Sequence, residues 1–202
     1  MARLRNLWPT LRDQGWRAVV AKALDATVYS RLILFEQEVG EPAPPELPPG
    51  VAAGWVPWQR LAELEAVRPG ITEKARERAA RGDRCFGIEI DGELRSVRWL
   101  ARGRGRVDHL DDDLDVGADG VYHYDLWTHP AARRRGLAAL GAAAVLERLA
   151  AEGVTRVTRA IVPENPGGMA TARAAGFRQV GIVWRFGFGP LSMRGVRRRP
   201  ER

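Results

Sequence analysis

Six consecutive residues, Arg133-Arg134-Arg135-Gly136-Leu137-Ala138, combine what an anion site needs. A strand pattern ends at Thr128, His129-Pro130 stops it, and a helical pattern begins near Arg135 or Gly136. The first turn of a helix carries N–H groups without partners inside the helix, and the helix dipole adds partial positive charge there. Gly136 lets a phosphate approach the backbone closely, and Ala138 is too small to obstruct it. The three arginines add charge suited to phosphate oxygens. The bland alternative is a solvated basic turn opening an ordinary helix.

Just upstream, Tyr122-His123-Tyr124-Asp125 gathers four groups able to move protons. Strand alternation puts Tyr122 and Tyr124 on one face and His123 and Asp125 on the other, unless a bulge changes the count. His123 has an ordinary pKa suited to a base, and Asp125 could act through water. Equally, the tyrosines could pack in the core and His123 could be a satisfied structural histidine. Glu164 reads as a solvated loop residue. His109 with Asp111, Asp112 and Asp113 invites a metal reading. However, the spacing lacks the glycine and terminal glutamate of a calcium loop, so no metal is expected. A solvated acidic loop is expected instead, able to attract a cationic amine.

Cys85 is the sole cysteine among 202 residues, which excludes an intrachain disulfide or a thiolate metal cluster and fits a reducing compartment. Its setting, Arg84-Cys85-Phe86-Gly87-Ile88-Glu89-Ile90, reads as a strand with a small buried apolar residue rather than a nucleophile. The net charge is +7, carried almost wholly by arginine, since lysine occurs only at Lys22 and Lys74. That balance is compatible with nucleic acid, a membrane surface, an acidic protein or a phosphorylated cofactor, and does not choose among them. No apolar run is long enough to span a bilayer. Asp13, Arg17, Lys22 and Asp25 interrupt any signal-peptide core, so a cytoplasmic protein is expected.

The elements that must position these groups follow from periodicity. Residues 4 to 29 carry two apolar stripes at helical spacing, Leu4, Leu7, Trp8 and Leu11, then Val19, Val20, Ala23, Leu24 and Val28. Arg31 to Glu38 reads as a strand, and the stretch from Gly40 to Gly50 holds five prolines and reads as a linker. Trp55 to Val67 passes from strand to helix, and Thr72 to Arg81 is a second helix. Asp91-Gly92 predicts a hairpin joining Cys85–Ile90 to Leu94–Leu100. Ala101 to Gly120 reads as a polar loop and Val121 to Thr128 as a strand. Leu137 to Ala151 is a helix stopped by Gly153. A strand over Val154 to Val162, a helix over Gly168 to Ala175 and a strand over Phe177 to Phe188 follow. The chain then divides into an extension with linker (1–50), a domain (51–190) and a mobile basic tail (191–202). The expected fold class is α/β, with a mixed central sheet flanked by helices and an N-terminal helical extension.

Arg133, Gly136 and Ala138 match the Gln/Arg-x-x-Gly-x-Gly/Ala signature of the GNAT superfamily of acyl-CoA-dependent acyltransferases. Asn165 after a strand, with Gly176-Phe177 closing a short helix, matches its later pattern. Over roughly Arg84 to Phe188 the chain resembles that family. The resemblance implies that amides from about Arg134 through Arg135, Gly136, Leu137 and Ala138 hold the pyrophosphate of acetyl-CoA or another acyl-CoA. It also implies that the pantetheine arm lies between Tyr122–Thr128 and Val157–Val162, oriented by Asn165, and that a backbone N–H near Leu126 or Trp127 polarises the thioester carbonyl. The family's thiolate-protonating tyrosine would fall at Ala172, which has no proton to give. Tyr122, His123, Tyr124 and Asp125 are the candidate replacements.

Three functions stay open. One is an N-acyltransferase acetylating an amine of a small molecule or peptide in a ternary complex. A second uses a longer acyl chain, or an acyl carrier protein as donor, docked on the basic surface. A third is a non-catalytic basic module for a membrane surface or nucleic acid. Against nucleic acid, no basic strand interleaved with aromatics is present. The N-terminal stripe otherwise suits core packing or a homodimer.

Overall fold

Asp91 and Gly92 both take positive φ (53° and 82°), which matches a two-residue turn to the right-handed twist of its strands. The turn joins β3 (Arg84–Ile90) to β4 (Glu93–Val107), as the sequence predicts. Beyond Leu100 the outcome differs. No loop covers Ala101 to Gly120; β4 runs on to Val107 and β5 (Asp112–Thr128) returns beside it. Ala101, Val107, Leu110, Leu114 and Val116 are buried there, while the arginines and aspartates between them face outward. A Cβ on Gly105 would fall 2.5 Å from the Tyr122 ring, so the glycines that suggested a loop let this arm lie against Tyr122. Nor is the acidic run free in solvent. Arg106 pairs with Asp111 and, at 3.8 Å, with Asp113, while Arg194 pairs with Asp112.

The computed structural model describes residues 29–41, 44–188 and 191–198. They form an eight-stranded sheet in the order β2-β3-β4-β5-β6-β1-β7-β8. Here β1 is Tyr29–Glu38, β2 Val51–Val56, β6 Arg156–Ile161, β7 Arg178–Phe188 and β8 Leu191–Arg198. Only β5 and β6 pair in parallel; the other neighbours are antiparallel. Strands from both sides of residues 51–190 thus join this sheet. The strand placed in the extension lies inside the sheet, between β6 and β7. Of the basic tail, Leu191–Arg198 pairs along β7 rather than hanging free, and Gly195 lets the Trp184 ring lie close. The helical stripes of residues 4 to 28 fall outside the described residues.

Helices cover both faces. A 3-10 turn (Trp58–Glu63), α1 (Leu64–Val67) and α2 (Thr72–Ala80) close over Val56, Cys85, Val97 and Trp99. On the other face α3 (Leu137–Ala151) and α4 (Pro166–Ala174) bury Val145, Leu149 and Ala172 against Phe86, Val121, Val157 and Phe177. Gly153, at φ 72°, ends α3 as the sequence predicts. Cys85 is buried, and burial pushes its thiol up to about 12, which fits an inert apolar role. No helix among the described residues is long and apolar enough to cross a membrane.

Candidate active site

Between β5 and α3 the chain makes a turn that leaves backbone N–H groups open at the start of a helix. His129 caps a 3-10 turn (Pro130–Ala132) by accepting from the Ala131 N–H at 3.3 Å. Arg134 and Gly136 then adopt left-handed conformations, at φ 62° and 75°. A non-glycine residue there is strained, and such strain collects at ligand-binding turns. The first helical bond of α3 runs from Leu140 N to Gly136 O, and no side chain caps the helix. The N–H groups before Leu140 are thus left for a ligand. Beneath them, the wholly enclosed Arg98 donates to the carbonyls of Leu137 (3.4 Å) and Ala138 (3.5 Å). A Cβ on Gly141 would meet its guanidinium at 2.0 Å, so glycine makes room for this anchor between α3 and β4.

A groove of about 970 Å³ leads from this turn into a fork in the sheet. The parallel pairing of β5 and β6 covers only Gly120↔Arg156, Val121↔Val157 and Tyr122↔Thr158, after which the strands part. On the other edge of β5, Tyr124 faces Trp99 and Trp127 faces Val97, so Asp125 and Leu126 together oppose Arg98. This is a β-bulge, with Asp125 at φ 45°. A bulge leaves backbone groups outside the ladder at the mouth of the fork.

The bulge also overrides strand alternation for one candidate. Tyr122 and Tyr124 do share a face, their rings stacked at 5.2 Å. Asp125 turns to that same side, against expectation, and is held by Arg68 at 2.5 Å and Arg78 at 2.6 Å. Burial alone would raise its carboxyl, but Arg78 and Arg68 outweigh burial and hold it below the usual carboxylate value. The Tyr124 hydroxyl donates to Asp83 at 2.6 Å, and burial, followed by that bond, raises its pKa. Burial likewise keeps the Tyr122 phenol protonated. His123 stays on the opposite face near Phe177, 3% exposed. Burial, then Arg159 and Arg98, holds its pKa well below the usual 6.5, so the imidazole is neutral. Its Nε2 has no hydrogen-bond partner among the described residues, unlike a satisfied structural histidine.

Most of the predicted residues line this one groove: Tyr122 through Thr128, Arg133, Arg134, Gly136, Leu137, Ala138 and Asn165. Arg135 does not. It lines a separate depression of about 380 Å³ with Asp91 and Arg95, because the left-handed turn at Arg134 sends adjacent side chains apart. Arg133 is partly engaged by the protein, donating to Thr128 O at 3.2 Å and lying 5.3 Å from the Trp127 ring centroid. Asn165 caps α4 by accepting from Gly168 N at 2.8 Å, and Gly168 leaves space for its side chain. Ala172 is buried in the core, while Thr171 borders the groove. The sequence reading missed Arg68, Arg78, Asp83, Arg98 and Arg159. Arg98 did leave a signal, being a charge between Val97 and Trp99 within a strand.

Residues 53–177 match the family model described as Acetyltransferase (GNAT) family. The chain belongs to this family. Its match contains the bulged strand, the Arg133–Ala138 turn and the Asn165…Gly176-Phe177 segment. Among curated proteins nothing matches the chain. Solved structures share the fold. A GCN5-related N-acetyltransferase from Kribbella flavida is 19% identical, with a TM-score of 0.50 over 82% of this chain and 60% of its own. A GNAT-family acetyltransferase from Colwellia psychrerythraea is 15% identical, with a TM-score of 0.56 over 84% and 61%. A glucosamine N-acetyltransferase region of a fungal multi-domain GH3 β-N-acetylglucosaminidase is 14% identical, with a TM-score of 0.59 over 83% of this chain and 22% of that one. The chain thus spans about 60% of the length of the Kribbella relative.

Proposed function

We propose that this chain is an acyl-CoA-dependent N-acyltransferase that acylates an amine by direct attack in a ternary complex. The observation that carries this reading is the continuity of one groove, from the uncapped N-terminus of α3 to the fork between β5 and β6. A coenzyme with a diphosphate at one end and a thioester at the other suits such a groove. The α3 amides and Arg134 would take the pyrophosphate, with the pantetheine arm between α3 and Asn165. An N–H freed at the Asp125–Leu126 bulge would polarise the thioester carbonyl.

Attack requires a neutral amine. Asp125 is a poor base, since two arginines stabilise its ionised form. The acceptor end instead has more positive than negative charge, with Arg68, Arg78, Lys74 and Arg106 against Asp125 and Asp108. An amine bound there loses its proton more readily than in water. The C–N bond forms as the C–S bond breaks, and the amine proton ends on the departing sulfur. The Tyr122 hydroxyl, protonated and on the groove, is the nearest equivalent to the donor absent at Ala172. Incubation with acetyl-CoA and a panel of amines should release free thiol. Absence of release with every acyl-CoA and amine tried, in protein that does bind CoA, would refute the transferase reading.

A further inference from the structure

Arg159 lines the groove yet is only 8% exposed. It makes no hydrogen bond or ion pair with any described residue; its contact is the Phe177 ring, 5.4 Å away. Burial draws the guanidinium down only to about 10, so it remains charged at neutral pH. An enclosed cation without an anion is costly; Arg133 and Arg134 are exposed to water, and the cations at the other end of the groove have carboxylate partners. Arg68 and Arg78 have Asp125, Lys74 has Asp108 at 3.6 Å, and Arg106 has Asp111.

The position of Arg159 is specific. Pairing of β5 with β6 ends at Tyr122↔Thr158, so His123 and Arg159 are the next residue on each strand, where the fork opens. Both face Phe177, on the side of α3 and α4, away from Asp125 and its arginines. His123 brings a buried Nε2 without a partner to the same place. Two unpartnered polar groups from opposite walls of the fork thus meet on the coenzyme's side. A guanidinium beside a neutral imidazole matches a carboxylate in charge and hydrogen-bonding geometry.

We propose that Arg159 and His123 form a carboxylate site, and that the preferred donor is an acyl-CoA whose chain ends in a carboxylate, of the malonyl or succinyl type. This rests on the acyl-CoA reading of the groove. In the reaction the amine nitrogen bonds the thioester carbon, the C–S bond breaks and the proton passes to sulfur. The distal carboxylate stays ionised on Arg159, and the product is an amide with a free carboxylate.

The test compares binding of free CoA, butyryl-CoA and succinyl-CoA by calorimetry, which needs no acceptor. Succinyl-CoA should bind about 10- to 100-fold more tightly than butyryl-CoA, the range for a hydrogen bond between charged groups. Arg159→Gln should abolish that preference while leaving free CoA within about 2-fold, and Arg159→Lys should retain part of it. Equal binding of the two acyl-CoAs by the unaltered protein overturns the site, and that comparison requires no variant to fold. Equal weakening of free CoA and succinyl-CoA in Arg159→Gln also overturns it, because the arginine then holds the pantetheine arm. If the unaltered protein binds no CoA in any form, the acyl-CoA reading itself fails.

Discussion

The two ends of the groove are built differently. At the end proposed for the coenzyme, the groups offered to a ligand are main-chain amides, set by Arg134 and Gly136 in left-handed conformations and by the uncapped start of α3. At the end proposed for the acceptor they are side chains from α2, β5 and the turns after α1 and α2, with Arg68 and Arg78 clamping Asp125, and Asp83 holding Tyr124. The first is local and depends on backbone shape. The second is a charge network whose members lie far apart in the chain. Mutations should therefore act on stability at one end and on ligand affinity at the other.

The largest effect belongs to the side-chain end. Arg78→Ala would leave the Asp125 carboxylate to Arg68 alone and strip a cation from the Trp99 and Tyr124 rings. Losing that charged contact and the ring contacts together should cost about 2–4 kcal/mol in denaturant unfolding. A loss below about 1 kcal/mol would mean that the clamp contributes little to the fold.

Next comes the fork, where His123 makes stability depend on pH. Its folded pKa is depressed, so below the unfolded value of 6.5 the unfolded state binds the extra proton. Stability should fall as pH drops from 7 to 5, by about 2 kcal/mol at pH 5 from this group. His123→Phe should flatten that part of the profile. A pH dependence unchanged by the substitution would show that the imidazole titrates normally.

The coenzyme end should respond mainly in affinity. At Gly136, φ is 75° and no atom lies within 4 Å of where a Cβ would sit, so Gly136→Ala meets backbone strain alone. The expected cost is about 1–2 kcal/mol of stability, with CoA affinity falling about 10-fold as the amides lose alignment. Arg134→Ala is the smallest change. If the main chain carries the binding, affinity should drop only about 2- to 5-fold, the worth of an exposed charge. A loss of about 100-fold on Arg134→Ala would erase the contrast between the two ends, because the site would then depend on its side chain.

The same contrast explains what could be read from the sequence. The turn at 133–138, the helix over Leu137–Ala151 and the Asp91-Gly92 hairpin were legible, because local residue types dictate backbone geometry there. The two long arms of β4 and β5 were not, since Arg102 to Arg106 offers glycines and charges where a strand usually shows apolar alternation. Asp125 was placed on the wrong face, since alternation cannot locate a bulge. Arg68 and Asp83 left no mark at all, because their partners Asp125 and Tyr124 lie 57 and 41 residues away. The side-chain direction of Arg135 was not legible for a related reason. A run of three arginines does not say which of them the left-handed turn sends outward.

If the main chain around Arg134–Ala138 holds a diphosphate, the phosphates should dominate coenzyme affinity. Calorimetric titration of the unaltered protein with CoA and with pantetheine, which shares the thiol arm but lacks the phosphates, tests this most directly. We expect saturable CoA binding and pantetheine binding at least about 100-fold weaker, as follows when charge-assisted contacts to phosphate dominate. Equal affinity for the two, or no CoA binding, would contradict it.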